Sequence, residues 1–220
     1  MVRNLFKKIL HPFLKFGLSK YYNKPRKYSY EGIDVLVQPE VFPPHLTIST
    51  KLLLDFIKPL DLKHKSLLEL GCGSGIISLY ASSKGANVTA TDINQIALDA
   101  LKIAAEKNSQ RLTILKSDLF DSLQVQTFDY IIINPPYYPK NPKNIKEHAW
   151  FCGEDFEYFK KLFKQLPNHL QSNQSLMILS QDCNITIIQE IAKENHLVLD
   201  CVFEKKVLSE KNYIYNIVRL

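Results

Sequence analysis
The sequence predicts an α/β domain around a mostly parallel, seven-stranded sheet with helices on both faces, preceded by a short basic extension. Three observations lead there. From residue 66 onward, short apolar runs alternate with stretches of helical periodicity, the order that parallel strands joined by crossover helices require. The first run ends in a glycine-rich turn, Gly71-Cys72-Gly73-Ser74-Gly75, that opens into a helical stretch. The second ends in a carboxylate, Asp92, so both features fall at strand ends, where open α/β sheets hold their ligands.

The elements follow in chain order. Residues 31 to 45 (EGIDVLVQPEVFPPH), punctuated by prolines, read as a short hairpin or extended segment. A helix is expected over 47 to 58, bounded by Pro59. Strands are expected at 66–70, 87–91, 111–116, 128–133, 174–180, 197–203 and 212–219. The fourth of these closes on three isoleucines, which suits a strand covered on both faces. Helices are expected at 75–84, 94–107, 155–170 and 184–195, the first ended by Gly85 as a left-handed cap. The chain therefore divides into an arm with an extended segment, residues 1 to 45, and an α/β domain, residues 46 to 220.

Its 220 residues are enough for a full core, and the apolar (45%) and charged (23%) fractions are those of an ordinary globular chain. Apolar runs fall far short of the ~18 residues that span a bilayer. Cys72, Cys152, Cys183 and Cys201 are scattered without a C-x-x-C pair, which argues against a disulfide framework or structural zinc and for a reduced, cytoplasmic setting. No metal is expected: His45, His148 and Cys152 lie near loops after strands, but at no ligand spacing.

The net charge of +6 is concentrated at one end. Residues 1 to 30 carry eight basic side chains and no acid, leaving twenty basic against twenty-two acidic beyond them. Within the arm Val2, Leu5, Phe6, Ile9, Leu10, Phe13 and Leu14 recur at helical spacing, with Pro12 set to kink the helix. Residues 1 to 28 can therefore meet an anionic surface (lipid, nucleic acid or an acidic protein), or pack their stripe on the domain.

In the glycine turn the backbone can approach a ligand closely, and Asp92 can accept hydrogen bonds from both hydroxyls of a ribose. The dinucleotide fingerprint wants glycine where Ile76 stands, and Glu69 before the turn suits a pyrophosphate poorly. A ligand with a ribose and a cationic end fits these charges better. Here the chain resembles the class I methyltransferases, with their Rossmann-like sheet and a first motif of the form E-x-G-x-G-x-G. The resemblance implies S-adenosyl-L-methionine as cofactor. It puts Glu69, Gly71, Gly73 and Gly75 near the methionine part, Asp92 on the ribose, and Asp118, in "KSDLF", on the adenine amino group.

After the fourth strand comes Asn134-Pro135-Pro136-Tyr137. A planar NH₂ is a poor nucleophile until its two N–H groups are held and its lone pair is free to point at the methyl donor. The Asn134 side-chain carbonyl and a backbone carbonyl near Pro135 can accept those two bonds. The prolines stiffen the backbone so that both acceptors are set in advance, and Tyr137 can cover the flat face of the substrate. N-P-P-Y is similar to the signature of methyltransferases acting on planar nitrogens. Over residues 38 to 205 the chain most resembles the HemK-like protein-glutamine methyltransferases, in "VFPPHLTIST" and "AWFCGEDFEYFKKLF" as well. Two departures stand out: Phe156 occupies a position where that family has glycine, and the short basic arm stands in place of the helical N-terminal domain of the bacterial release-factor enzymes. The resemblance implies transfer to a glutamine amide of a release factor or ribosomal protein. The alternative is an exocyclic base amine, adenine N6 or guanine N2, in RNA or DNA, with Tyr138, Trp150 and Phe151 as stacking rings and the arm as phosphate grip.

Overall fold
The structure, a computed structural model, describes residues 23–45, 47–170, 174–207 and 209–220. The helical stripe expected over residues 2 to 14, and most of the basic arm with it, lies outside the described residues. The first described elements are a hairpin of β1 (Arg26–Tyr30) and β2 (Ile33–Val37), paired antiparallel. Glu31 and Gly32 form its two-residue turn, both at positive φ (48° and 81°), the geometry that matches the twist of the two strands. The extended segment expected from residue 31 thus begins at Arg26. The half-buried Tyr28 and Tyr30 alternate with basic and polar residues, too thin a stripe to read as a strand. β2 buries Ile33, Val35 and Val37. Asn108 clamps its backbone, accepting from Asp34 N–H (3.1 Å) and donating to Asp34 C=O (2.8 Å).

The main sheet has seven strands: β3 (Ser66–Leu70), β4 (Asn87–Asp92), β5 (Thr113–Lys116), β6 (Tyr130–Ile133), β7 (Gln174–Ser180), β8 (Leu197–Val207) and β9 (Glu210–Arg219). Their order is β5-β4-β3-β6-β7-β9-β8, with β9 the one strand antiparallel to its neighbours and the first five mutually parallel. The chain reverses between β3 and β6, so the crevice at the carboxyl ends of these central strands is where a ligand site belongs.

Helices α1 (Ile48–Ile57), α2 (Ile76–Ser83) and α3 (Gln95–Lys107) cover one face; α4 (Glu157–Gln165) and α5 (Ile185–Glu194) cover the other. Strand alternation feeds both cores. Ile132 packs with the first group of helices, and its neighbours Ile131 and Ile133 with the second, all three fully buried. Each such side chain contributes about 1.5–3 kcal/mol relative to exposure. Gly85 ends α2 at φ 88°, the left-handed cap expected of it. Asn94 and Asn184 cap α3 and α5 through their side-chain oxygens.

Four elements differ from expectation for a clear local reason. The helix expected over 155–170 begins only after Phe156, whose φ of 60° excludes it from the helix, and passes into a 3₁₀ turn at Leu166–His169, where Pro167 offers no N–H. β6 starts at Tyr130 because Asp129 is diverted into a staple: its carboxylate accepts from Ser66 N–H and Oγ–H, both 2.8 Å. β5 is limited to the four residues that meet β4. β8 runs on to Val207, past a bulge between Cys201 and Phe203, because β9 continues to pair with its polar end.

Candidate active site
β3 delivers Glu69 and Leu70 to the turn, and α2 carries the chain away. Between them Gly75 has φ 70°, and a Cβ there would stand 2.3 Å from Leu101 Cδ1 of α3, which is itself fully buried. At Gly71, also φ 70°, a Cβ would meet nothing within 4 Å. The first glycine thus leaves open space at the turn, and the last lets two helices close. Gly75→Ala should cost about 2–4 kcal/mol by combining left-handed backbone with overpacking, read as a lower midpoint in chemical denaturation.

Glu69 is buried and accepts from Ser78 N–H (2.9 Å) and the Ser78 hydroxyl. Burial pushes its carboxyl up to about 8, the Ser78 bonds opposing the shift and Asp92 adding to it. The ordinary value for such a carboxyl is 4.5. The folded chain therefore keeps a proton that the unfolded chain has lost, and the stabilisation present below that value fades as pH rises to about 8. Thermal midpoints of the wild type should fall relative to Glu69→Gln between pH 5 and 8.5; parallel curves for the two proteins would discharge Glu69 from the effect.

At the end of β4, Asp92 accepts from Gly73 N–H and Asn94 N–H, both 2.8 Å, and burial raises its carboxyl despite these bonds. Asn94 Nδ2 donates to Glu40 C=O (3.0 Å), holding the proline-rich segment before α1 over the turn. Asp118 follows β5 in a tightly bonded loop and pairs with Lys161 of α4 at 2.6 Å. Asn134 leaves β6 half-buried, and among the described residues its side chain makes no hydrogen bond.

These parts surround one cavity of about 400 Å³. Its lining includes Glu69, Gly71, Gly73, Asp92, Asp118, Asn134 and Pro136. Gly75, Pro135 and Tyr137 stand outside it. Pro135 is buried, and the Tyr137 ring lies 4.8 Å from that of Tyr138, its hydroxyl raised by burial. His148 and Cys152 line the cavity, while His45 stacks on Tyr28 instead. Sequence reasoning missed Tyr158 and Lys161, which also face the cavity. The signal was available in the position of α4, whose first turns follow the loop after β6 and so meet the same crevice. Phe42 lines the cavity too and meets Trp150 with ring centroids 4.9 Å apart. Phe156 adopts the αL conformation that glycine takes most easily; here the strained backbone is accompanied by a buried ring. Among the described residues no group of three His, Cys, Asp or Glu could hold a metal, and no helix is long and apolar enough to cross a membrane.

A sheet in this order with a ligand-sized cavity at its strand ends is the class I methyltransferase architecture. The chain belongs to the methyltransferase small domain family, whose model matches residues 32–218. It is 34% identical over 155 residues to a Methanocaldococcus jannaschii protein bearing the name protein N5-glutamine methyltransferase (68% of this chain, 76% of the relative). A release factor glutamine methyltransferase of Rhodopirellula baltica is 32% identical over 206 residues (81% and 69%). A ribosomal RNA small subunit methyltransferase C of Actinobacillus pleuropneumoniae is 30% identical over 116 residues (51% and 35%). Among solved structures, the T. thermophilus 16S rRNA N2 G1207 methyltransferase in complex with AdoMet and guanosine superposes with a TM-score of 0.59 at 16% identity, covering 87% of this chain and 50% of that one. The protein is thus a HemK-like methyltransferase that uses S-adenosylmethionine. The cavity suits that cofactor: acidic side chains line it, and the turn at Gly71 leaves open space beside them.

Proposed function
We propose that the protein transfers the methyl group to the side-chain amide nitrogen of a glutamine in a release factor or ribosomal protein. The observation that carries this reading is Asn134: an uncommitted amide after a strand whose last three residues are fully buried, on the cavity, followed by two prolines. Bound S-adenosylmethionine supplies an electrophilic methyl group. The chain supplies position. Asp92 holds the ribose hydroxyls, Asp118 the adenine amino group, and Glu69 with the glycine turn the methionine end. The Asn134 side-chain carbonyl and a backbone carbonyl near Pro135 accept the two N–H bonds of the incoming amide, aiming its lone pair at the methyl and stabilising positive charge as it grows on nitrogen. No base is required beforehand, because the nitrogen becomes acidic only as it is methylated. The glutamine methyltransferase names of the relatives that match most of the chain support the amide acceptor, and such a substrate implies work in the cytoplasm.

A second reading, a base amine of RNA, is favoured by the aromatic rim of Phe42, Trp150 and Phe151 and by the relative named for ribosomal RNA. Basic residues 1 to 28 would then hold phosphates. Radiolabelled S-adenosylmethionine with host lysate, split into RNase- and protease-treated halves, separates the two. Label lost only to protease supports the amide; label lost only to RNase overturns it in favour of the base.

A further inference from the structure
The loop after β5 fixes the backbone of Asp118 but leaves its side chain free to turn. Ser117 Oγ donates to Leu119 C=O (2.8 Å) and accepts from Ser122 N–H (3.0 Å), while Asp121 N–H bonds back to Asp118 C=O (3.2 Å). Leu119 sits buried at φ 53°. Only the χ angles of Asp118 remain, and α4 sets them. Lys161 Nζ reaches Asp118 Oδ2 and Asp121 Oδ2, each at 2.6 Å. One turn on, Gln165 donates to Asp121 Oδ1 (2.6 Å) and its amide oxygen accepts from Phe120 N–H (3.4 Å). Residues i and i+4 of one helix face thus grip both carboxylates of the loop.

Lys161 and Asp118 both line the cavity; Asp121 and Gln165 do not. With Oδ2 taken, Asp118 Oδ1 has no hydrogen-bond partner among the described residues. We propose that Lys161 is the positioning residue for cofactor recognition: it turns Asp118 so that one carboxylate oxygen faces the purine edge and reads its 6-amino group. The inference rests on the assignment of Asp118 to the adenine amino group and adds what makes that carboxylate selective. An ionised carboxylate only accepts hydrogen bonds, so a 6-amino group is bound and a 6-oxo group is repelled. A freely rotating carboxylate would hold the same charge without the same direction.

Calorimetry with S-adenosylhomocysteine and S-inosylhomocysteine, which differ in that one group, tests the inference. Lys161→Met should weaken the adenosyl ligand about two- to fivefold, the range of a partly exposed ion pair, and leave the inosyl ligand unchanged. Lys161→Arg, which keeps charge and donors, should restore the preference. The ion pairs of Lys161 are partly exposed to solvent at the cavity, so a thermal melt of each variant should stay close to the wild type. Equal weakening of both ligands, or no weakening, overturns the positioning role. Asp118→Asn tests the assignment beneath it: its amide can donate to a 6-oxo group, so the preference should shrink or reverse. If Asp118→Asn leaves the preference intact, the adenine assignment itself fails. If that variant shifts it and Lys161→Met does not, only the role of Lys161 fails.

Discussion

Replacing Asn134 by alanine should cut turnover on the order of a hundredfold while leaving cofactor affinity unchanged, about 2.7 kcal/mol of barrier. The size follows from what the side chain is placed to do. It ends a strand whose last three residues are fully buried, so its position is set by the core rather than by the ligand. Its carbonyl is needed only when the acceptor arrives and when charge develops on the nitrogen, which puts the loss in kcat rather than in cofactor binding. Single-turnover rates at saturating cofactor, with calorimetry beside them, separate the two. Full activity in the variant would remove Asn134 from the mechanism.

Asp92→Ala should have the opposite signature. Its carboxylate already organises the turn through Gly73 and Asn94, and the same group is placed to take the ribose hydroxyls. Losing it leaves two backbone N–H groups without their acceptor and removes charge-assisted bonds to the ligand. Cofactor affinity should drop about tenfold to a hundredfold, with turnover recovering at high cofactor concentration. Unchanged affinity would refute the ribose assignment.

Three of the parallel strands, β3, β6 and β7, were legible because they are buried on both faces and so appear in sequence as short apolar runs. The glycine turn and the residues at strand ends were legible for a related reason: their spacing follows the strand–helix repeat, and the fold carries that repeat into space. Where elements are half-exposed the pattern thins. β1 hides two tyrosines among basic residues, and the end of β8 is polar on both sides. The grip of Lys161 on Asp118 spans 43 residues and depends on how α4 lies against the loop, which no local spacing encodes. Tyr137 is instructive in another way: N-P-P-Y drew attention to its ring, but the ring turns to Tyr138, beside the cavity rather than in it.

The position of β9 bears on how the chain must be made. It is the last strand in sequence, yet in space it lies between β7 and β8. Until it emerges from the ribosome, β7 has a partner on one side only, and its residues Leu176 to Leu179 are among the most apolar of the sheet. A nascent chain extending only to β8 therefore presents an apolar strand edge in the interior of the future sheet, the kind of surface that recruits other chains. Completion is a matter of inserting one strand into a slot, so the cell has a brief interval in synthesis when this protein most needs protection from its neighbours.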